Sequence, residues 1–126
     1  MAGAGENAGT KAGGATIVAF PQPRSAEQVA FDRPELTKIL DLYGRMVAAG
    51  LWRDYAIDFG KDAASFSAFK RTAERPSARI EKRPALRAKQ GMWALYGEAG
   101  QVLKRGQELA SLLSPLERKL MKVVED

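Results

Sequence analysis

The sequence contains no cysteine and no histidine, and these two absences exclude several classes of site. Without thiols there are no disulfide bridges, no cysteine-ligated metal centres and no cysteine nucleophile. Without an imidazole there is no Ser-His-Asp triad. Glycine motifs for phosphates or dinucleotides are also missing from suitable contexts. We therefore expect a protein that is not an enzyme, with no catalytic residue, no metal site and no cofactor.

Long hydrophobic runs are absent as well. No apolar stretch approaches the ~18 residues that a membrane-spanning helix requires. The N-terminus also lacks the basic region followed by an apolar stretch that marks a secretory signal. We therefore expect a cytoplasmic protein without a membrane partner, and the lack of cysteine is compatible with a reducing compartment.

Large apolar side chains are scarce in the first 27 residues, which are rich in glycine, alanine and proline. This composition predicts a disordered tail over residues 1–27 and a single domain over residues 28–126. One apolar island interrupts the tail at residues 15–20 (ATIVAF). It is either a linear interaction motif or a strand that docks on the edge of the domain's own sheet.

The clearest local signal is the start of a helix near residue 32. Asp32 is a typical N-cap, Glu35 can complete a capping box, and Pro34 suits a first turn. Apolar residues follow at helical spacing until Gly50, which is the residue type expected just after a helix. The pattern predicts a helix at about residues 33–49.

Alternating apolar and polar residues then predict short strands. Residues 54–59 and the segment ending near residue 69 are expected to form a hairpin around a turn at 60–63. A third short strand is predicted at Ala78–Lys82. The expected partners in the hairpin are Ile57–Phe66 and Tyr55–Ala68, with Phe69 and Arg71 on the opposite face, near Asp54.

A second hairpin and a helical region complete the chain. The hairpin is predicted around residues 97–100, and a leucine-rich stripe over 109–124 predicts one kinked helix or two stacked ones, since Pro115 interrupts it. A capping box is expected at Ser114 and Glu117. The hairpin strands are 92–96 and 101–105, with the expected partners Leu95–Val102 and Trp93–Lys104. The fold class is therefore α+β, an antiparallel sheet of about five short strands flanked by an N-terminal and a C-terminal helix.

The net charge of +5 arises in one segment, because residues 70–89 hold eight basic and two acidic residues. Such a patch attracts phosphate polymers or acidic protein surfaces. The predicted sheet also places Phe69 beside Arg71 and Trp93 beside Lys104, and aromatic side chains on a basic sheet can stack on bases. Most cations of the segment, including Lys82, are expected in solvent. The candidate nucleic-acid or partner-binding residues are Phe69, Lys70, Arg71, Arg75, Arg79, Lys82, Arg83, Arg87, Lys89 and Lys104.

Each of these observations also has a purely structural interpretation. Trp93 and Phe69 fit core positions, where Lys104 would lay its aliphatic stem over the Trp93 ring. Two functions stay open. One is a nucleic-acid-binding module that uses residues 70–89 for RNA or single-stranded DNA. The other is a protein-interaction or regulatory adaptor without nucleic-acid contact.

Several strings together resemble a small alphaproteobacterial domain family of unknown function. The resemblance covers about residues 29–120 and implies a bacterial cytosolic protein. It brings no activity, ligand or catalytic residue with it. The strings that carry it are residues 29–36 (VAFDRPEL), 42–50 (LYGRMVAAG), 52–59 (WRDYAIDF), 79–84 (RIEKRP), 89–91 (KQG) and 103–109 (LKRGQEL).

Overall fold

The structure is a computed structural model that describes residues 27–70 and 75–125, with side chains as far as residue 123. Its five strands form one antiparallel sheet in the order β1-β2-β3-β4-β5, which confirms the α+β prediction. The predicted tail, with its apolar island, lies outside the described residues except for Glu27. The elements are α1 (Arg33–Ala48), β1 (Asp54–Phe59), β2 (Ala64–Phe69), β3 (Ala78–Lys82), a 3₁₀ turn (Pro84–Leu86), β4 (Trp93–Tyr96), β5 (Val102–Gly106), α2 (Leu109–Leu112) and α3 (Ser114–Glu125).

Helix α1 begins with the predicted capping box. The Asp32 carboxylate accepts a hydrogen bond from the Glu35 N–H, and the Glu35 carboxylate accepts one from the Asp32 N–H, both at 2.8 Å. Pro34 lies in the first turn, where its missing N–H leaves no helical bond unmade. The helix ends before Gly50, whose φ of +77° favours glycine.

We expect Asp32→Ala to lower the free energy of unfolding by about 1 kcal/mol, because one exposed N–H of the first turn then loses its partner. Urea denaturation monitored by tryptophan fluorescence measures this loss. Asp41→Ala is the matched control, since Asp41 is an exposed aspartate in the middle of the same helix. Equal stability of the Asp32 variant and the parent protein would mean that the cap contributes nothing.

The first hairpin has the predicted register. Ile57 lies opposite Phe66 and Tyr55 lies opposite Ala68. The buried side of β2 faces α1, whose Tyr43 ring packs edge-on against the Tyr55 ring, with 4.9 Å between centroids. Partial burial raises the pKa of the Tyr43 phenol, and the neighbouring negative charge of Asp54 raises it further.

The hydrophobic core lies between one face of the sheet and the helices. α1 contributes Leu36, Ile39, Leu42 and Met46, which recur at helical spacing and are all buried. Leucines of α2 and α3 belong to the same core cluster. None of the three described helices packs on the opposite face of the sheet. Within the described residues no helix is long and apolar enough to cross a membrane.

The C-terminal region consists of two helices, so the two-helix alternative is confirmed. The expected capping box at Ser114 and Glu117 has other partners. The Glu117 N–H donates to the Leu113 carbonyl, and the Ser114 hydroxyl accepts from Lys104 Nζ at 3.0 Å. The Glu117 carboxylate instead binds Arg45 of α1 at 3.2 Å, a hydrogen bond that raises the pKa of the guanidinium. These contacts fix α3 against α1.

The predicted register of the second hairpin is wrong. Leu95 lies opposite Lys104, Trp93 lies opposite Gly106, and Val102 lies opposite Tyr96, with a register shift between Leu95 and Tyr96. A β-bulge explains the shift, because β5 holds one residue more than β4 between the paired positions. In this register position 91 requires glycine, since a Cβ on Gly91 would lie 2.7 Å from the Gly106 carbonyl oxygen.

Candidate nucleic-acid interface on the open sheet face

The face of the sheet that the helices leave uncovered, here called the open face, carries a defined set of side chains. Side chains alternate between the two faces along each strand, so the register fixes which ones become neighbours. Two rows cross the middle of the open face. They are Ser65–Glu81–Ala94–Arg105 and Ser67–Arg79–Tyr96.

Glu81 lies at the centre of the open face. It is the buried charged residue of the part of the chain that the structure describes, with 6% of its surface exposed. Its carboxylate accepts a hydrogen bond from the Tyr96 hydroxyl at 3.1 Å and lies 3.5 Å from both the Arg79 and the Arg83 guanidinium. Glu81 therefore holds three larger side chains in place. No group of three or more potential metal ligands occurs among the described residues.

Arg79 and Tyr96 form a stacked pair beside Glu81. The guanidinium carbon of Arg79 lies 4.7 Å from the centroid of the Tyr96 ring, a cation–π geometry. Arg105 projects from the neighbouring strand β5, opposite Ala94. Arg79, Arg83 and Arg105 thus share this part of the open face with the carboxylate of Glu81, so the net charge of the cluster is positive.

A cleft of about 390 Å³ opens at the end of this cluster. Arg79 and Tyr96 line it from the sheet, and Arg75 and Pro76 line it from the segment before β3. The β4–β5 turn, residues 97–100, completes it. The open face and the cleft are continuous, because Arg79 and Tyr96 belong to both.

Comparison with protein families matches residues 29–113 to a family whose description is "Protein of unknown function (DUF2794)". The chain belongs to this family. The match includes α1, the whole sheet and α2, so the open face and the cleft both lie within the family domain. Comparisons with curated proteins and with solved structures gave no significant match. The predicted resemblance to a domain family of unknown function is confirmed.

The family domain brings some of the predicted site residues together and separates others. Phe69, Arg79 and Arg83 lie on the open face, and Phe69 is half-buried there, opposite Asp54. Arg75 lines the cleft, and Lys70 is exposed at the end of β2. Arg87 and Lys89 lie in the exposed turn after the 3₁₀ segment, where the Arg87 guanidinium approaches the Met92 sulfur. Arg71 lies outside the described residues.

Lys82 does not lie in solvent, and that expectation is wrong. Its ammonium group donates to the Glu35 carboxylate at 2.7 Å and to the Ala30 carbonyl at 2.9 Å. Only 12% of its side chain is exposed. Alternation along β3 is the physical reason, because it directs residue 82 to the face opposite that of Glu81.

The predicted pairing of Trp93 with Lys104 is also wrong. Trp93 is a core residue that stacks on Phe31 with 6.1 Å between ring centroids. The cation above its ring is Lys82, at 5.9 Å. Lys104 instead binds the Ser114 hydroxyl at the end of the sheet near α3.

Sequence reasoning missed Glu81, Tyr96 and Arg105 as site residues. Arg105 lies outside the basic segment and was therefore counted with the near-neutral remainder of the chain. Alternation along β3 could have placed Glu81 between Arg79 and Arg83, since residues two apart share a face. Finding Arg105 needed the true register of the second hairpin.

Proposed function

We propose that this domain is a non-catalytic binding module that holds single-stranded nucleic acid, RNA or DNA, on the open face of its sheet. One observation carries the proposal. Arg79, Arg83 and Arg105 converge with Tyr96 on a sheet surface that no described helix covers. Exposed β-sheets with basic and aromatic side chains are a common platform for unpaired nucleotides.

The charges on the open face support a phosphate-bearing ligand. Arginine presents several N–H donors in a planar fork that matches phosphate oxygens. Glu81 offsets one of the three guanidinium charges and orients two of the groups without neutralising the cluster. Asp54 and Asp58 lie on the β1 side of the same face. Their charges repel phosphate, which confines a bound strand to the side formed by β3, β4 and β5.

The surface beneath the arginines supports a flat ligand. Ser65 and Ser67 are small and partly exposed, so planar groups can approach this part of the sheet closely. Tyr96 offers an aromatic ring within the basic cluster, and Phe69 offers a second one toward the other end of β2. Base stacking on aromatic rings tolerates any sequence.

The triple variant Arg79→Gln, Arg83→Gln, Arg105→Gln tests the proposal. Each neutralised phosphate releases counterions, so log affinity falls linearly with log salt concentration. The variant should bind more weakly and flatten the salt slope by up to ~3 units, at about one unit per contact. Fluorescence anisotropy with labelled single-stranded RNA and DNA octamers over a salt series measures both quantities.

A matched control removes the same charge from the helices. Lys38, Arg118 and Lys119 are exposed on α1 and α3, so their replacement by glutamine lowers the net charge equally. The control should keep most of the affinity and the salt slope. Equal losses in the two triple variants would contradict a site on the open face. Urea denaturation shows whether each variant is folded.

The alternative function, a protein-interaction adaptor, has one observation in its favour. Strand β5 is an edge strand, and its Val102 and Leu103 side chains are 52% and 47% exposed. Edge strands with exposed apolar side chains can pair with a partner's strand. Absence of binding to either octamer at low salt, with folded protein, would favour this alternative.

A further inference from the structure

We infer that the cleft beside the open face holds one guanine base of the bound strand. This inference rests on the proposed function, since it names a base within a strand that lies on the open face. It also makes a separate claim, because a strand can bind by phosphate contacts and stacking alone, without any preference for a base.

The cleft is placed where one base of such a strand can enter it. Arg79 and Tyr96 line both the cleft and the open face, so a strand that crosses the arginine cluster passes the cleft opening. The volume of about 390 Å³ lies within the range of small-molecule sites. The Tyr96 ring and the Pro76 ring supply apolar surfaces suited to a planar base.

The turn that closes the cleft presents a carboxylate acceptor, and three of its four backbone donors already have partners. The Gly97 N–H donates to the Gln101 carbonyl and the Gly100 N–H donates to the Gly97 carbonyl, at 2.9 Å each. The Ala99 N–H donates to the Gln101 side chain at 3.0 Å. Three backbone donors of the turn are thus engaged, and its charged group is the exposed carboxylate of Glu98. The ligand must therefore offer hydrogen-bond donors at this end of the cleft.

The opposite requirement holds at the arginine end. Arg75 and Arg79 can only donate hydrogen bonds, so the ligand must offer acceptors there. An arginine fork that contacts the O6 and N7 atoms of guanine is the commonest specific contact to a base. The cleft thus combines guanidinium donors with a carboxylate acceptor.

Guanine is the base whose edges meet both requirements. Its N1–H and N2 amino groups are adjacent donors, which one carboxylate can accept together. Its O6 and N7 atoms are adjacent acceptors for an arginine. Uracil offers a single N–H that lies between two carbonyl oxygens. A carboxylate that approaches this N–H is repelled by both oxygens. Adenine and cytosine each offer an amino group beside a ring nitrogen that is itself an acceptor.

Binding of four RNA octamers tests the inference. Each is a uridine octamer with uridine, adenosine, inosine or guanosine at one central position, and affinity is measured by competition anisotropy at fixed salt. We expect guanosine to raise the affinity about tenfold over uridine, within the usual range for a bidentate base contact. Inosine lacks the N2 amino group and should recover only part of this gain. Equal affinity for all four octamers would overturn the guanine inference and leave the proposed function standing.

A variant of Glu98 connects the preference to the cleft. Glu98→Gln should reduce the ratio of guanosine to uridine affinity from about tenfold to below about twofold, since one carboxylate oxygen becomes a donor. Asp62→Asn is the matched control, because Asp62 is an exposed carboxylate in the β1–β2 turn and its replacement changes the charge equally. A guanosine preference that survives Glu98→Gln would overturn the assigned role of the cleft. Failure of every octamer to bind at low salt would instead contradict the proposed function itself.

Discussion

Replacing Trp93 with alanine should lower the free energy of unfolding by about 3–5 kcal/mol, the usual cost of removing a large buried aromatic side chain. Trp93 is 2% exposed and lies at the centre of contacts between the sheet and the chain before α1. Its ring stacks nearly parallel on Phe31, with an interplanar angle of 9°. Loss of the indole would leave a cavity between these elements. Urea denaturation monitored by circular dichroism measures the change without depending on the removed fluorophore.

Tyr96→Ala is the control, because Tyr96 belongs to the same strand and faces the opposite side of the sheet. Its removal should cost about 1 kcal/mol, mainly through the lost hydrogen bond to Glu81. If Trp93→Ala does not fold, Trp93→Phe retains a ring and should give an intermediate stability. A loss below about 1 kcal/mol for Trp93→Ala would contradict the central position of this residue in the core.

The part of the fold that the sequence predicts well is the part that local rules determine. The capping box at Asp32 and the glycine at position 50 mark the ends of α1 independently of the rest of the chain. The first hairpin follows from strict alternation on both sides of one short turn. In these elements the local preference and the tertiary contacts agree.

The second hairpin was predicted, but its register could not be read from local patterns in the sequence. The β-bulge lies between Val102 and Lys104, where one residue of β5 has no partner on β4. The amino acids around it are ordinary strand residues, so the sequence does not reveal the bulge. In the observed register Gly91 lies close to Gly106, fifteen positions later in the chain, a contact that no local pattern signals. Alternation alone is equally compatible with the predicted and the observed registers, which differ by two residues at Trp93 and Leu95.

The same limit separates the predicted site from the observed one. A count of charges along the sequence placed Arg79 and Arg83 in one basic segment, and in the structure both contact Glu81. It also included Lys82, whose charge lies on the other side of the sheet, and it omitted Arg105, which a neighbouring strand brings to the cluster. The pairing of the strands determines which side chains are neighbours on one face of the sheet. A continuous segment of sequence instead includes residues from both faces of each strand.

Removal of the Lys82 ammonium group should produce the second large loss of stability. Lys82→Met retains most of the aliphatic stem but leaves the Glu35 carboxylate without its cation and the Ala30 carbonyl without its donor. Both side chains of the pair are largely shielded, at 12% and 18% exposure. We expect the free energy of unfolding to fall by about 2–3 kcal/mol, somewhat less than for a fully buried pair.

A double-mutant cycle with Glu35→Gln separates the ion pair from the capping role of Glu35. The coupling energy between positions 35 and 82 should be about 1–2 kcal/mol, above the range of exposed pairs. Asp41 and Arg45 on the same helix form the control pair, and their coupling should be about 0.3–0.5 kcal/mol because both are exposed. Equal couplings in the two cycles would show that shielding adds nothing to the Lys82 pair.

The Lys82 variant also distinguishes the two faces of the sheet in function. Lys82 belongs to the basic segment in the sequence, yet Glu35 compensates its charge on the helix side. Lys82→Met should therefore leave the salt slope of nucleic-acid binding unchanged, measured at a temperature where the variant is fully folded. A slope reduced by about one unit would place Lys82 at a phosphate. That result would mean that the bound strand reaches around the sheet to the side on which the helices pack.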